Sequence, residues 1–136
     1  LYREGFVTFS DYLSVIDNGG EHVWNHALGA VGFITHLSGF WPEYTSEIWD
    51  LLQRRRYDDA IDRLSDFKWK WNKWRRKVEK FTGGEGPYIK AAMEMVGLEA
   101  GPPRLPSVGV PQPLLKELGD LFQDSGVPIL DGAPSQ

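Results

Sequence analysis

The sequence predicts an α/β fold, because two short strand-like runs each lie between helical segments. Residues 31–36, VGFITH, form an apolar, β-branched and aromatic run that is typical of a buried parallel strand. A second run, at 12–16, is closed by the turn residues DNGG at 17–20. In wound α/β folds, ligands lie in the loops that follow the carboxyl ends of the strands. These two loops are therefore the first candidates for a site.

Helical periodicity accounts for most of the remaining chain. Five helices are predicted, at 21–28, 42–54, 58–81, 87–96 and 113–124. The longest carries an apolar stripe with helical spacing, made of Ala60, Leu64, Phe67, Trp71, Trp74, Val78 and Phe81. This stripe needs an apolar partner surface along most of the helix. Residues 1–11 are ambiguous, since they could contain the end of a helix that stops at Gly5.

Composition and charge argue against several classes of protein. The 136 residues carry a net charge of −4 and include no cysteine. The sequence therefore has no disulfide or thiolate chemistry, and it has no overall attraction for nucleic acid or anionic lipid. No apolar run approaches the roughly 20 residues that a membrane-spanning helix needs. We expect a cytoplasmic protein with no nucleic-acid partner and no membrane partner.

Four motifs, in order, resemble the C-terminal portion of the dihydrodipicolinate synthase and N-acetylneuraminate lyase family. The first is the strand, turn and helix that lead into LGAVGFIT at 28–35, followed by a helix that begins with Pro-Glu at 42–43. The others are the segment PYIKAAMEMVGL at 87–98, the connector RLP at 104–106 and the last predicted helix. The resemblance covers residues 12–128.

This resemblance implies the last two strands of a TIM (β/α)₈ barrel within residues 1–57, a C-terminal helical extension at 58–128 and a tail at 129–136. It also implies a lyase of the class I aldolase type, which holds pyruvate or another 2-oxo acid as a Schiff base on a lysine. No cofactor is expected. Self-association as a homodimer or homotetramer is expected. Aldol cleavage, dehydration and hydratase–aldolase chemistry all remain open.

The family's catalytic residues would lie before residue 1. Its Schiff-base lysine ends the sixth barrel strand and its proton-relay tyrosine belongs to the fifth. We therefore expect no catalytic residue among these 136 residues, and no activity from this segment alone. Lys90 matches a family lysine in the C-terminal helices, remote from the active site.

The resemblance also implies which residues face the substrate. Ile34 matches the residue whose backbone lies beside the bound pyruvyl group, and Thr35 and His36 follow it into the loop. Asp17 and Asn18 match a turn that contacts the second substrate in some members, although Asp17 replaces the family's usual glycine. Structural alternatives are a buried strand position for Ile34, a hydrogen-bonded structural role for His36 and a helix cap for Asp17.

Two further patterns have both a structural and a functional interpretation. Phe40 and Trp41 follow the second strand and are interpreted as packing residues, with an aromatic lining of the active-site mouth as the alternative. His22 and His26 have the i, i+4 spacing of a two-histidine metal face, but no third ligand accompanies them at a recognisable spacing. We therefore predict no metal site.

The long helix also suggests an alternative function. Its segment KWKWNKWRRKVEK at 68–80 interleaves basic and aromatic residues, as nucleic-acid-binding proteins do, but Trp71 and Trp74 belong to the apolar stripe. The alternative to an enzyme is a non-catalytic helical interaction module that binds partners through the stripe at 58–81.

Overall fold

The computed structural model describes residues 2–129 and is 62% helical. The described elements are α1 (Tyr2–Phe9), β1 (Ile16–Asp17), α2 (His22–Ala27), β2 (Gly32–Phe33), a 3₁₀ turn (His36–Gly39), α3 (Pro42–Gln53), α4 (Tyr57–Thr82), α5 (Gly86–Met95) and α6 (Gln112–Ser125). The five predicted helices are confirmed, and their ends agree to about one residue. Helix α1, in contrast, continues through Gly5. Most of the predicted tail, at 130–136, lies outside the described residues.

The predicted α/β fold, with the last two strands of a TIM barrel, is wrong for this structure. β1 and β2 lie side by side and parallel, with Ile16 opposite Gly32. Each strand is only two residues long, however, and the described chain shows no barrel pattern of strands. A lone parallel pair has few backbone hydrogen bonds and two open edges. The run at 12–16 therefore pairs only at its end, where Ile16 and the following Asp17 lie opposite Gly32 and Phe33.

An aromatic cluster forms the core where α3, α4, α5, α6 and the 3₁₀ turn meet. Its buried rings are Phe40, Trp41, Tyr44, Phe67, Trp71, Trp74, Tyr88 and Phe122. The ring of Trp71 is central, with centroid distances of 5.0 Å to Phe40 and 5.1 Å to Trp74. Because each buried aromatic side chain removes roughly 150–250 Å² from water, this cluster is a main source of stability.

Burial in this core bears on the role of Phe40 and Trp41 and on whether the stripe of α4 is free to bind a partner. Phe40 is 2% exposed and Trp41 is 6% exposed, so they are packing residues and do not line a mouth. The stripe of α4 packs against α3, α5 and α6 of the same chain, although Phe81 at its end is exposed. The stripe is thus already covered, which weighs against its use as a partner-binding surface.

Lys90 on α5 holds the proline-rich connector that leads towards α6. Its Nζ donates to the carbonyl oxygens of Ala100 at 2.6 Å, Gly101 at 3.2 Å and Pro102 at 3.2 Å. These three bonds match the three N–H donors of an ammonium group. Lys90 therefore has a structural role.

Among the described helices, none is both long enough and apolar enough to pass through a bilayer.

Candidate functional site

A polar cleft of about 390 Å³ opens at the carboxyl ends of β1 and β2. Its walls are the loops at 18–20 and 34–37, one side of α4 and the beginning of α5. The N–H of Ile34 donates to the carbonyl oxygen of Asp17 at 2.8 Å and so holds the two loops together. Small-molecule sites are typically about 300–1,000 Å³, so the cleft can take a small ligand.

Four of the five residues predicted to face the substrate line this cleft, namely Asn18, Ile34, Thr35 and His36. Ile34 is 56% exposed, so it is not the buried strand residue of the alternative interpretation. The fifth residue, Asp17, is 1% exposed and can act on a ligand only through its neighbours.

Ile34 and Thr35 also border a second opening, a groove between β2 and α3. Among the described residues that line this groove, Asp50 is the one charged side chain. The polar cleft instead contains histidine, lysine, arginine, glutamate and tyrosine side chains. Because acid–base chemistry and anion binding need such groups, the polar cleft is the better candidate site.

A buried cluster of hydrogen bonds centres on Asp17. Its Oδ2 accepts a bond from His22 Nδ1 at 2.6 Å, and its Oδ1 accepts from Asn25 Nδ2 and from the N–H of Gly19, both at 2.8 Å. Since an ionised carboxylate can only accept, Nδ1 carries the imidazole proton and Nε2 remains for a molecule in the cleft. Phe33 stacks on the imidazole at 4.3 Å, so the ring is fixed in tautomer and orientation.

The pKa values of Asp17 and His22 are both lowered, for different reasons. Burial acts to raise the pKa of Asp17, but the hydrogen bonds from His22, the Gly19 N–H and Asn25 outweigh it and lower the pKa. Burial lowers the pKa of His22, and nearby Lys68 lowers it further, against the opposing effect of Asp17. At neutral pH the pair is an ionised carboxylate beside a neutral imidazole, which is able to accept a proton.

Lys68 brings a positive charge from α4 to the cleft. Its Nζ donates to the carbonyl oxygen of Gly20. Gly20 has a φ of +83°, and a Cβ at this position would lie 3.5 Å from Nζ. Burial lowers the pKa of Lys68, and Arg75 adds to that effect, whereas Glu21 and Asp17 oppose it. The positive φ favours glycine at this turn, whereas a Cβ would make only ordinary van der Waals contact with the ammonium group.

The opposite wall carries a second chain of polar groups. His36 Nε2 lies 3.2 Å from Glu85 Oε1, and both side chains are more than half exposed. The other carboxylate oxygen, Oε2, accepts from the Tyr88 hydroxyl at 3.4 Å, and that hydroxyl accepts from Arg75 Nη1 at 3.4 Å. Burial raises the pKa of Tyr88, so its phenol is neutral at physiological pH.

The two histidines of α2 have separate partners. His22 bonds to Asp17, whereas His26 Nδ1 lies 3.3 Å from the hydroxyl of Tyr57. Within residues 2–129 there is no group of three or more side chains placed to hold a metal ion. The i, i+4 spacing therefore serves hydrogen bonds and packing.

Sequence reasoning missed the position of Lys68 in the cleft and the hydrogen bond between His22 and Asp17. A signal for Lys68 was present, because Lys68, Asn72 and Arg75 recur at i, i+4 and i+7 beside the apolar stripe of α4. All three line the cleft. A polar row on the flank of a buried stripe indicates a face that meets a cleft. His22 had a weaker signal, since its partner lies five residues away across a turn.

No family model matches the chain, and no curated protein matches it either. The case for a function therefore depends on the geometry of the cleft and on the motifs that carry the resemblance.

Proposed function

We propose that this protein is part of a lyase of the Schiff-base pyruvate aldolase or dehydratase type, and that the polar cleft binds its 2-oxo acid substrate. The observation that supports this most directly is the convergence of residues from two separate loops. Asn18 follows β1, whereas Ile34, Thr35 and His36 follow β2, and all four line one cleft. In open α/β sheets, ligands bind beyond the carboxyl ends of the strands, and the loops of this short parallel pair meet in the corresponding place.

The charge of the cleft also suits a 2-oxo acid, which carries a carboxylate at neutral pH. Lys68 and Arg75 both line the cleft. Arg75 is partly neutralised by Glu79, which accepts from its Nη1 at 2.8 Å. Lys68 contributes a second positive charge. Partial burial strengthens the attraction of these cations for an anionic ligand relative to bulk water.

In the proposed reaction, a lysine amine condenses with the C2 ketone of the 2-oxo acid and water leaves. Such a lysine must be neutral near pH 7. We place it outside these 136 residues, as the resemblance implies. The cleft would contribute groups that hold or move protons, namely the neutral imidazole of His22 on Asp17 and the chain from His36 through Glu85 to Tyr88. The homodimer or homotetramer stays a prediction.

Reductive trapping tests the proposal. The full-length gene product is incubated with pyruvate and sodium borohydride, digested and mapped by mass spectrometry. We expect one reduced pyruvyl adduct on a lysine outside residues 1–136. Lactate, which has no ketone and cannot form an imine, is the matched control and should leave every lysine unmodified.

Two results would contradict the proposal. One is the absence of any adduct with pyruvate in a folded full-length protein. The other is an adduct confined to lysines within the 136 residues, since it would show that the catalytic amine has been misplaced.

A further inference from the structure

We infer that Lys68 anchors a carboxylate subsite in the polar cleft, and that the substrate therefore carries a second acidic group besides the carboxylate of its 2-oxo acid. This inference rests on the proposed function, because it concerns the substrate of the same cleft. The ligand class is a 2-oxo dicarboxylic acid.

The hydrogen bonding of the Lys68 ammonium group supports a carboxylate subsite. An ammonium group has three N–H donors, and Lys68 gives one of them to the carbonyl oxygen of Gly20. No ion pair among the described residues involves Lys68. Lys77, in comparison, is paired with Glu117 at 2.6 Å. A partly buried lysine without a carboxylate partner has donors to offer to an anionic ligand.

The groups around this ammonium also suit a carboxylate. Asn72, one turn further along α4, also lines the cleft, and its Oδ1 accepts from Arg75 Nε at 2.9 Å. That bond fixes the amide and leaves its NH₂ group to donate to a ligand. His22 also lines the cleft, but its Nε2 carries no proton and cannot donate to a carboxylate. Lys68 therefore provides a charge-assisted bond and Asn72 a neutral donor for one carboxylate.

Three carboxylates near the site do not neutralise the subsite. Asp17 interacts with Lys68 electrostatically, but its two oxygens already accept from His22, Asn25 and the N–H of Gly19. Glu21 interacts with Lys68 electrostatically but forms no ion pair with it in the described structure. Glu85 lies on the opposite wall, where His36 and Tyr88 already engage its two oxygens.

The size of the cleft favours an acid longer than pyruvate. Its volume of about 390 Å³ corresponds to roughly 13 water molecules at their liquid volume, which is far more than pyruvate fills. Ile34, beside which the pyruvyl group is expected, belongs to the loop after β2, whereas Lys68 belongs to α4. A longer acid can occupy both walls at once.

The test compares 2-oxoglutarate with 2-oxopentanoate, which have the same carbon chain and differ in the distal carboxylate. Binding to the 136-residue protein is measured by isothermal titration calorimetry at neutral pH and low ionic strength. We expect 2-oxoglutarate to bind about tenfold more tightly, as one charge-assisted hydrogen bond allows. K68M should bring the two affinities together. K73M, which removes an exposed lysine of the same helix, should keep the preference.

Equal affinities of the unmodified protein for the two acids would overturn the subsite, as would a preference that survives in K68M. Failure of both acids to bind at millimolar concentration would overturn it too. K68Q keeps a donor near Gly20 without the charge, and it replaces K68M if circular dichroism shows that K68M is unfolded.

Reductive trapping with pyruvate separates the subsite from the proposed lyase function. A preference for 2-oxoglutarate without a pyruvyl adduct refutes the lyase alone, and an adduct without the preference refutes the subsite alone.

Discussion

Replacing Asp17 with alanine is expected to lower the free energy of unfolding by about 3–5 kcal/mol, which is typical for the loss of one partner of a buried polar pair. Asp17 is 1% exposed and accepts three hydrogen bonds, from His22, Asn25 and the N–H of Gly19. Each donor left buried without a partner costs about 1–3 kcal/mol. The two buried donors, on His22 and Asn25, together account for about 2–6 kcal/mol. Gly19 is exposed, so its N–H can bond to water instead.

Urea denaturation followed by tryptophan fluorescence measures this change, with D59A as the matched control. Asp59 pairs with Arg56 at 2.8 Å, close to the 2.6 Å of the pair between Asp17 and His22, but both members of the control pair are exposed. D59A should therefore change stability much less. D17N keeps an Oδ1 acceptor and should cost about 1–2 kcal/mol, since His22 can change tautomer.

The reasoning about this cluster would be refuted if D17A and D59A destabilised the protein equally. It would also be refuted if D17N were as harmful as D17A, because the neutral amide retains most of the hydrogen-bonding geometry.

Three further outcomes are expected. The folded state holds the pKa of His22 below its ordinary 6.5, so the unfolded chain protonates this imidazole first as the pH falls. The free energy of unfolding should therefore fall as pH drops below about 6.5. H22Q should weaken this dependence in urea melts recorded at several pH values. K90M should lower stability by about 1–3 kcal/mol, because the carbonyls at 100–102 lose a charged donor, and it should speed proteolysis in the connector. W74F should cost about 1–3 kcal/mol by urea denaturation, since the indole N–H donates to the buried carbonyl of Leu114 at 2.9 Å. These expectations would be contradicted by a pH dependence of stability that H22Q leaves unchanged, by a rate of proteolysis in the connector that K90M leaves unchanged, or by a urea midpoint that W74F leaves unchanged.

The sequence was most informative about the helices. The stripe of α4, which includes Phe67 and Trp74, has a period that only a helix satisfies, and its bulk requires burial against other apolar surfaces. The strands were less predictable. The run at 12–16 has strand-like composition, but a parallel strand is stabilised by its neighbours, and only one short partner lies beside it here.

The site could be predicted only in part. Thr35 and His36 were identifiable because they follow a strand end, and a strand end can be located from the neighbouring residues in the sequence. The contact of Lys68 with Gly20 joins residues 48 positions apart, so no spacing rule reveals it. Asp17 was expected to contact a ligand, but it is buried because His22 and Asn25, both on the next helix, supply donors to its carboxylate.

A 2-oxoglutarate titration of the ¹⁵N-labelled protein, followed by two-dimensional amide NMR, tests the claim that the polar cleft is the 2-oxo acid site. We predict saturable shifts concentrated at 18–20, at 34–37 and around Lys68, and we predict that K68M weakens them while K73M does not. Shifts confined to the groove between β2 and α3, or the absence of any saturable shift, would contradict the assignment of the site.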